Sequence, residues 1–278
     1  MPSALVAVLV VYNLAMSEII SHYENTPEDP RLQTGWGPLE FARTQELILR
    51  HLPAAPQKIL DIGGGSGIYS AWLGSLGYEA HLVDIVPSHV ESARRNRAIA
   101  SAEVADARKL AHANQVFDAV LFLGPLYHLT DRNDRLAALR EARRVLKPGG
   151  LLFAAAINRF ASLLNGLVEG AIDDPRFVAI VEQDLRDGQH RNTTGNPNYF
   201  TTAYFHRPEE LRTEILDSGF TLLALAPIEG PGWLASDFQT RWSDSRRREQ
   251  LLKLIRQTEH DPALIATTLH LLATAQNK

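Results

Sequence analysis

The stretch Leu60–Gly67, LDIGGGSG, constrains this chain more than any other. An apolar run, KIL at 58–60, enters it, and a pattern with helical spacing, GIYSAWLGSLG at 67–77, leaves it. A strand that turns through glycines straight into a helix is the first half of a βαβ unit. The glycines allow a tight turn and let a ligand approach the backbone, while the helix start offers free N–H groups. The spacing is not that of the dinucleotide fingerprint G-x-G-x-x-G: Gly63 and Gly65 fill its first two positions, but the third falls on Ile68. No G-x-x-x-x-G-K-[ST] occurs either, which removes a P-loop. What stands is D-x-G-x-G-x-G, on Asp61, Gly63, Gly65 and Gly67.

The alternation of short apolar runs with helical patterns continues to residue 157. Strands are expected at 58–63, 79–85, 102–106, 117–123 and 151–157, and helices at 67–77, 87–98 and 131–150. The last helix has Leu136, Leu139, Val145 and Leu146 inward and a Pro-Gly-Gly stop. This rhythm predicts a mostly parallel sheet covered on both faces. After Asn158 it breaks. Residues 158–205 hold a helical stretch and a polar Gly/Asn-rich run, 207–220 a helix and 221–228 a strand. Residues 232–262 form a helical insertion, and 269–277 a final strand. The two insertions read as a cap over one edge of the sheet.

A chain of 278 residues, 45% hydrophobic, suits one large α/β domain with additions. Its net charge of -4 argues against nucleic acid as the main partner, because phosphate backbones select clustered Lys and Arg. The Arg-rich bits at 140–144 and 246–248 read as solvated helix faces. There is no cysteine, which excludes disulfides, Cys-ligated zinc, iron–sulfur clusters and thiolate nucleophiles. The apolar run at 4–16 has no Lys or Arg before it and is too short to span a bilayer. Residues 1–15 are expected to be a non-native or disordered extension, 16–56 an N-terminal helical cap segment, and 57–278 the main domain. The protein is expected in the cytoplasm, away from the membrane.

With Asp61, Gly63, Gly65 and Gly67 in place, the chain resembles the class I S-adenosylmethionine-dependent methyltransferases, of the ubiquinone/menaquinone-type group. The likeness covers residues 57–157 and, more loosely, the late helix and strand. It implies a doubly wound, mostly parallel, seven-stranded Rossmann-like sheet with an antiparallel last strand and helical cap insertions. It also implies S-adenosylmethionine as cofactor, with S-adenosylhomocysteine as product. Asp61, Gly63, Gly64, Gly65 and Gly67 align with the loop that wraps the methionine end. Asp84, followed by Ile85, occupies the acidic position that holds the ribose hydroxyls. Asp106 and Ala107 fall where adenine is bound, and Leu123 and Gly124 would lie against the cofactor.

Methyl transfer from a sulfonium asks the protein to align the nucleophile, exclude water and sometimes remove a proton. In this family the end of the fourth strand passes beside the methyl group, and LGPLYHL falls there. Among ten histidines, His128 is the candidate base and Tyr127 a candidate positioning ring. Tyr23, Arg31 and Arg43 are candidates for a carboxylate of cofactor or substrate, and Tyr204 for the pocket wall. His206, ahead of Pro208, reads as structural, as do Trp233, Phe238 and Trp242. No metal site is expected. The (D/N)-P-P-(Y/F) loop of amino-nitrogen methylation is absent, and without cysteine the covalent route to pyrimidine C5 is closed. The leading expectation is a small-molecule acceptor at O, N or C. An RNA or protein methyltransferase and a catalytically silent cofactor-binding module remain the alternatives.

Overall fold

The computed structural model describes residues 31–278 together with Ile20 and Tyr23. The expected extension at 1–15 lies outside the described residues. So does most of the cap segment before Arg31.

The continuous apolar runs become strands buried on both faces. Strands β1 (Lys58–Ile62), β2 (Glu79–Asp84), β3 (Ser101–Val104), β4 (Phe117–Phe122), β5 (Leu146–Ile157), β8 (Phe220–Pro227) and β9 (His270–Asn277) form one sheet in the order β3-β2-β1-β4-β5-β9-β8. A two-stranded hairpin, β6 (Gln189–His190) with β7 (Ala203–Tyr204), stands apart. β1, β2, β3, β4 and β5 pair in parallel, while β9 runs antiparallel to both β5 and β8. The last strand is therefore antiparallel, as expected, but it is interior and β8 forms the edge.

Period-two alternation sorts the side chains between two cores. Leu60, Val120, Phe122 and Leu152 face helices α5 (Arg132–Val145) and α8 (Pro208–Asp217). Ile59, Ala119, Leu121 and Phe153 face α1 (Gly37–Leu49) and α2 (Ile68–Ser75). Helix α3 (Pro87–Arg94) closes the β2–β3 end through Val90 and Ala93 on Leu82 and Ala102.

Boundaries moved for local reasons. α3 stops at Arg94, short of the expected 98, where Arg95 and Asn96 turn back onto Ser92 and Ala93. The Pro-Gly-Gly stop, expected to close a helix, is part of β5. After β4, Pro125–His128 form a single helical turn, α4, with Pro125 at its start.

The first insertion supplies α6 (Ala161–Glu169), α7 (Pro175–Asp187) and the β6–β7 hairpin. The second supplies α9 (Phe238–Ser243) and α10 (Ser245–Thr258), and these pack on α1 rather than over the sheet edge. Trp233, Phe238 and Ile255 bury against Leu39, and Glu259 pairs with Arg43 and Arg50 at 2.5 Å each. The expectation that 232–262 caps the site is thus corrected. Two apolar faces and a buried ion cluster tie this insertion to α1.

Candidate active site

Every parallel strand delivers its carboxyl end to the same sheet edge, and a cavity opens there. All the expected cofactor residues except Gly67 line it: Asp61, Gly63, Gly64 and Gly65 at and after the end of β1, Asp84 and Ile85 at the end of β2, Asp106 and Ala107 after β3, Leu123 and Gly124 after β4. Gly67 serves packing instead. It caps α2 at φ +94°, and a Cβ there would meet Ile99 Cδ1 at 2.4 Å.

The loop is shaped by what a side chain would strike. A Cβ on Gly63 would lie 2.7 Å from the Pro125 ring, and one on Gly64 would lie 2.6 Å from Leu82. Asp84 is pinned by two backbone donors: Gly65 N–H donates to Oδ2 and Val86 N–H to Oδ1, both at 2.8 Å. Asp61 is buried and accepts from the Ser70 hydroxyl at 2.7 Å through Oδ2. Its Oδ1 has no hydrogen-bond partner among the described residues. Burial raises the Asp61 pKa to about 7, Ser70 opposes the rise, and the nearby Asp84 charge adds to it. An acceptor buried without a donor is a demand for a ligand donor. Asp106 lines the wall while its carboxylate holds Arg108.

At the far end of the cavity Tyr127 and His128 face inward from α4, joined by Tyr23. The Tyr23 hydroxyl lies 2.7 Å from His128 Nε2, and the Tyr127 and His128 rings meet edge-on at 4.6 Å. Arg31 also reaches the wall, forked onto Glu40 at 2.6 and 2.8 Å.

Two expected substrate residues are corrected. Arg43 is fully buried outside the cavity, with its guanidinium donating to Glu46, Glu259 and the Ile228 carbonyl. Each of its three nitrogens is engaged, and the side chain lines neither cavity. Tyr204 lies under the Arg135 guanidinium, 3.8 Å from its ring centroid, and lines neither this cavity nor its neighbour. His206 is structural, as expected: it is fully buried, with Nε2 3.2 Å from Glu214.

The sequence reading missed three residues: Glu40, Glu229 and His270. The His270 Nδ1–H donates to Glu229 Oε1 at 2.6 Å, and Glu229 Oε2 accepts from the Thr268 hydroxyl at 2.7 Å and His270 N–H at 3.0 Å. Glu40 completes the group across the wall, 3.9 Å from His270 Nδ1. Against the cost of burial, Arg31 and His270 hold the Glu40 pKa down to about 2. One donor atom from each of the three lies within 4.8 Å of the others. Here the Arg31 and His270 cations balance the two carboxylates, so the group is an ion-pair network. A signal for His270 existed: β9 runs antiparallel, so its first residue falls on the same edge as the carboxyl ends of its neighbours.

Comparison with known proteins identifies the family. Residues 60–154 match the family described as "Methyltransferase domain". The ubiquinone biosynthesis O-methyltransferase of Methylobacterium nodulans is 30% identical over 171 residues, covering 53% of this chain and 67% of that one. The protein of the same name from Ruegeria pomeroyi is 28% identical over 199 residues, covering 70% of each chain. A crystal structure of an S-adenosylmethionine-dependent methyltransferase from Methanosarcina mazei superposes with a TM-score of 0.56 at 20% identity, covering 83% of this chain and 96% of that one. The class that fold and matches define is a methyltransferase with a Rossmann-like sheet. This chain belongs to the class I S-adenosylmethionine-dependent methyltransferases.

Proposed function

We propose that the cavity binds S-adenosylmethionine through the residues named above and that the enzyme methylates a small-molecule acceptor, at oxygen. One observation carries the reading: a single cavity at the carboxyl edge gathers the glycine loop, Asp61, Asp84 and Asp106 with Tyr127 and His128. The residues fit the cofactor. The unpartnered Asp61 Oδ1 offers an acceptor for an ammonium, and the fixed Asp84 carboxylate suits a diol. Ala107 and Asp106 offer donor and acceptor to a purine edge, and Gly63 and Gly64 leave the space that a Cβ would fill. When bound, the sulfonium supplies an electrophilic methyl group. The chain's own work is to fix that ligand, keep the cavity apolar around the reacting centre and hold the acceptor in line. Tyr23, Tyr127 and His128 stand where the acceptor would enter, with His128 steadied by the Tyr23 hydroxyl.

A small acceptor is supported by a second concave space that shares Tyr23, Arg31, Tyr127 and His270 with the first. Oxygen is favoured because the relatives named above are O-methyltransferases. Among the described residues, no helix is long and apolar enough to cross a membrane. The test is transfer of labelled methyl from S-adenosylmethionine into a cell extract separated into small-molecule, RNA and protein fractions. Label is expected in the small molecules. Label confined to RNA or protein would overturn the acceptor class.

A further inference from the structure

The second cavity and the residue at its mouth point further than a generic acceptor. Its walls are aromatic: Trp36, Tyr127, Phe177, Tyr199, Phe200 and Phe205. Phe200 is the hub, with ring centroids 6.0 Å from His128, 6.4 Å from Tyr127 and 6.1 Å from His190. Its backbone sits at φ 63°, ψ -172°, a region that side chains other than glycine rarely occupy. His190 is no ligand group here, since Asp184 and the Tyr199 carbonyl engage both its nitrogens at 2.9 and 2.8 Å. Asn165, by contrast, lines the cavity with a buried Oδ1 that has no hydrogen-bond partner among the described residues.

His270 stands where the two cavities meet and lines both. Glu229 fixes its Nδ1, and Nε2 makes no hydrogen bond among the described residues. A buried carboxylate thus fixes the imidazolium ring and aims its other N–H at the ligand. His128 differs, because its Nε2 already faces the Tyr23 hydroxyl at 2.7 Å.

We propose that the second cavity takes an aromatic ring bearing a hydroxyl, and that the His270 imidazolium, positioned by Glu229, donates Nε2–H to that oxygen and favours its ionised form, which is then methylated. This rests on the cofactor occupying the first cavity. Rings stack on rings in a wall of this kind, and Asn165 Oδ1 offers an acceptor for a second hydroxyl or amide on the same ring. The hydroxyl proton leaves to solvent as the ring binds, and the imidazolium donates Nε2–H to the resulting phenolate while Nδ1–H stays donated to Glu229. The oxygen lone pair forms the new O–CH3 bond as the C–S bond breaks, and that bond's electron pair remains on sulfur as a neutral thioether.

Electrostatics agree with the pairing. The charged groups facing His270 are Glu229 beyond β8, Glu40 on α1 and Arg31 ahead of α1. Against the cost of burial, Glu40 and Glu229 raise the imidazole to about 9, and Arg31 opposes them. The imidazolium therefore persists at neutral pH, and its charge lowers the pKa of a bound phenol from the ordinary value of about 10.

The probe is 4-nitrophenol, whose ionised form absorbs visibly, titrated with the enzyme without cofactor. Bound to wild type, it is expected to ionise about one pH unit or more below its free value. Glu229→Gln should shrink that shift, His270→Gln should abolish it, and His128→Gln should keep it. Calorimetry of S-adenosylmethionine on the same samples separates the two readings. If the cofactor binds but the probe does not, or titrates alike in wild type and His270→Gln, this inference falls and the cofactor assignment stands. A shift lost only in His128→Gln would overturn it as well. If the cofactor fails to bind at all, the reading beneath it falls first.

Discussion

The two halves of the sheet edge are built differently. On the cofactor side, the contributing residues sit at or just after the ends of regular strands, and backbone shapes the centre of the site: Gly65 and Val86 N–H hold Asp84, and the turn glycines follow β1. On the acceptor side the wall comes from insertions, a one-turn helix and the start of an antiparallel strand. There side chains hold side chains: Glu229 on His270, Tyr23 on His128, Asp184 on His190. A ligand common to a whole family suits the first construction. The second can be rebuilt by substitution without disturbing the sheet, as a variable acceptor requires.

A double dissociation is the sharpest way to break that contrast. Asp84→Ala removes a fixed carboxylate, and hydrogen bonds to charged groups contribute about 1.5–3 kcal/mol each. Calorimetry should show S-adenosylmethionine affinity falling about tenfold to a hundredfold, with 4-nitrophenol binding unchanged. Phe200→Ala should do the reverse, weakening the nitrophenol about tenfold through lost ring contact and sparing the cofactor. Either variant affecting both ligands equally would erase the distinction.

A smaller effect is expected from pH. The Asp61 carboxyl sits at about 7 because it is buried, and a cationic ligand favours its ionised form. Affinity for S-adenosylmethionine should therefore weaken as pH falls through 7, by several-fold between pH 8 and 6. In Asp61→Asn that pH dependence should disappear. A flat profile in wild type would place the cofactor's charge away from Asp61.

The same contrast explains what was legible beforehand. Period-two runs and D-x-G-x-G-x-G marked the parallel strands and the stations at their ends, because strand direction alone places Asp61, Asp84 and Asp106 on one edge. Gly67 was misassigned since a glycine needed for helix packing against Ile99 reads like one needed for ligand approach. Arg43 and Tyr204 were misplaced because partners distant in the chain, Glu259 and Arg135, claim them. The antiparallel last strand was expected, and it places residue 270 on this edge, but His270 was overlooked because its role depends on Glu229, 41 residues away. Nothing local to residue 270 reports that partner.

The central claim is that the two cavities form one continuous site, cofactor in one and acceptor ring in the other. Nuclear magnetic resonance on the enzyme with S-adenosylhomocysteine and 4-nitrophenol bound together tests it most directly. The account predicts inter-ligand magnetisation transfer between the ring protons and the methylene groups beside sulfur. Saturated binding of both ligands with no such transfer would contradict it.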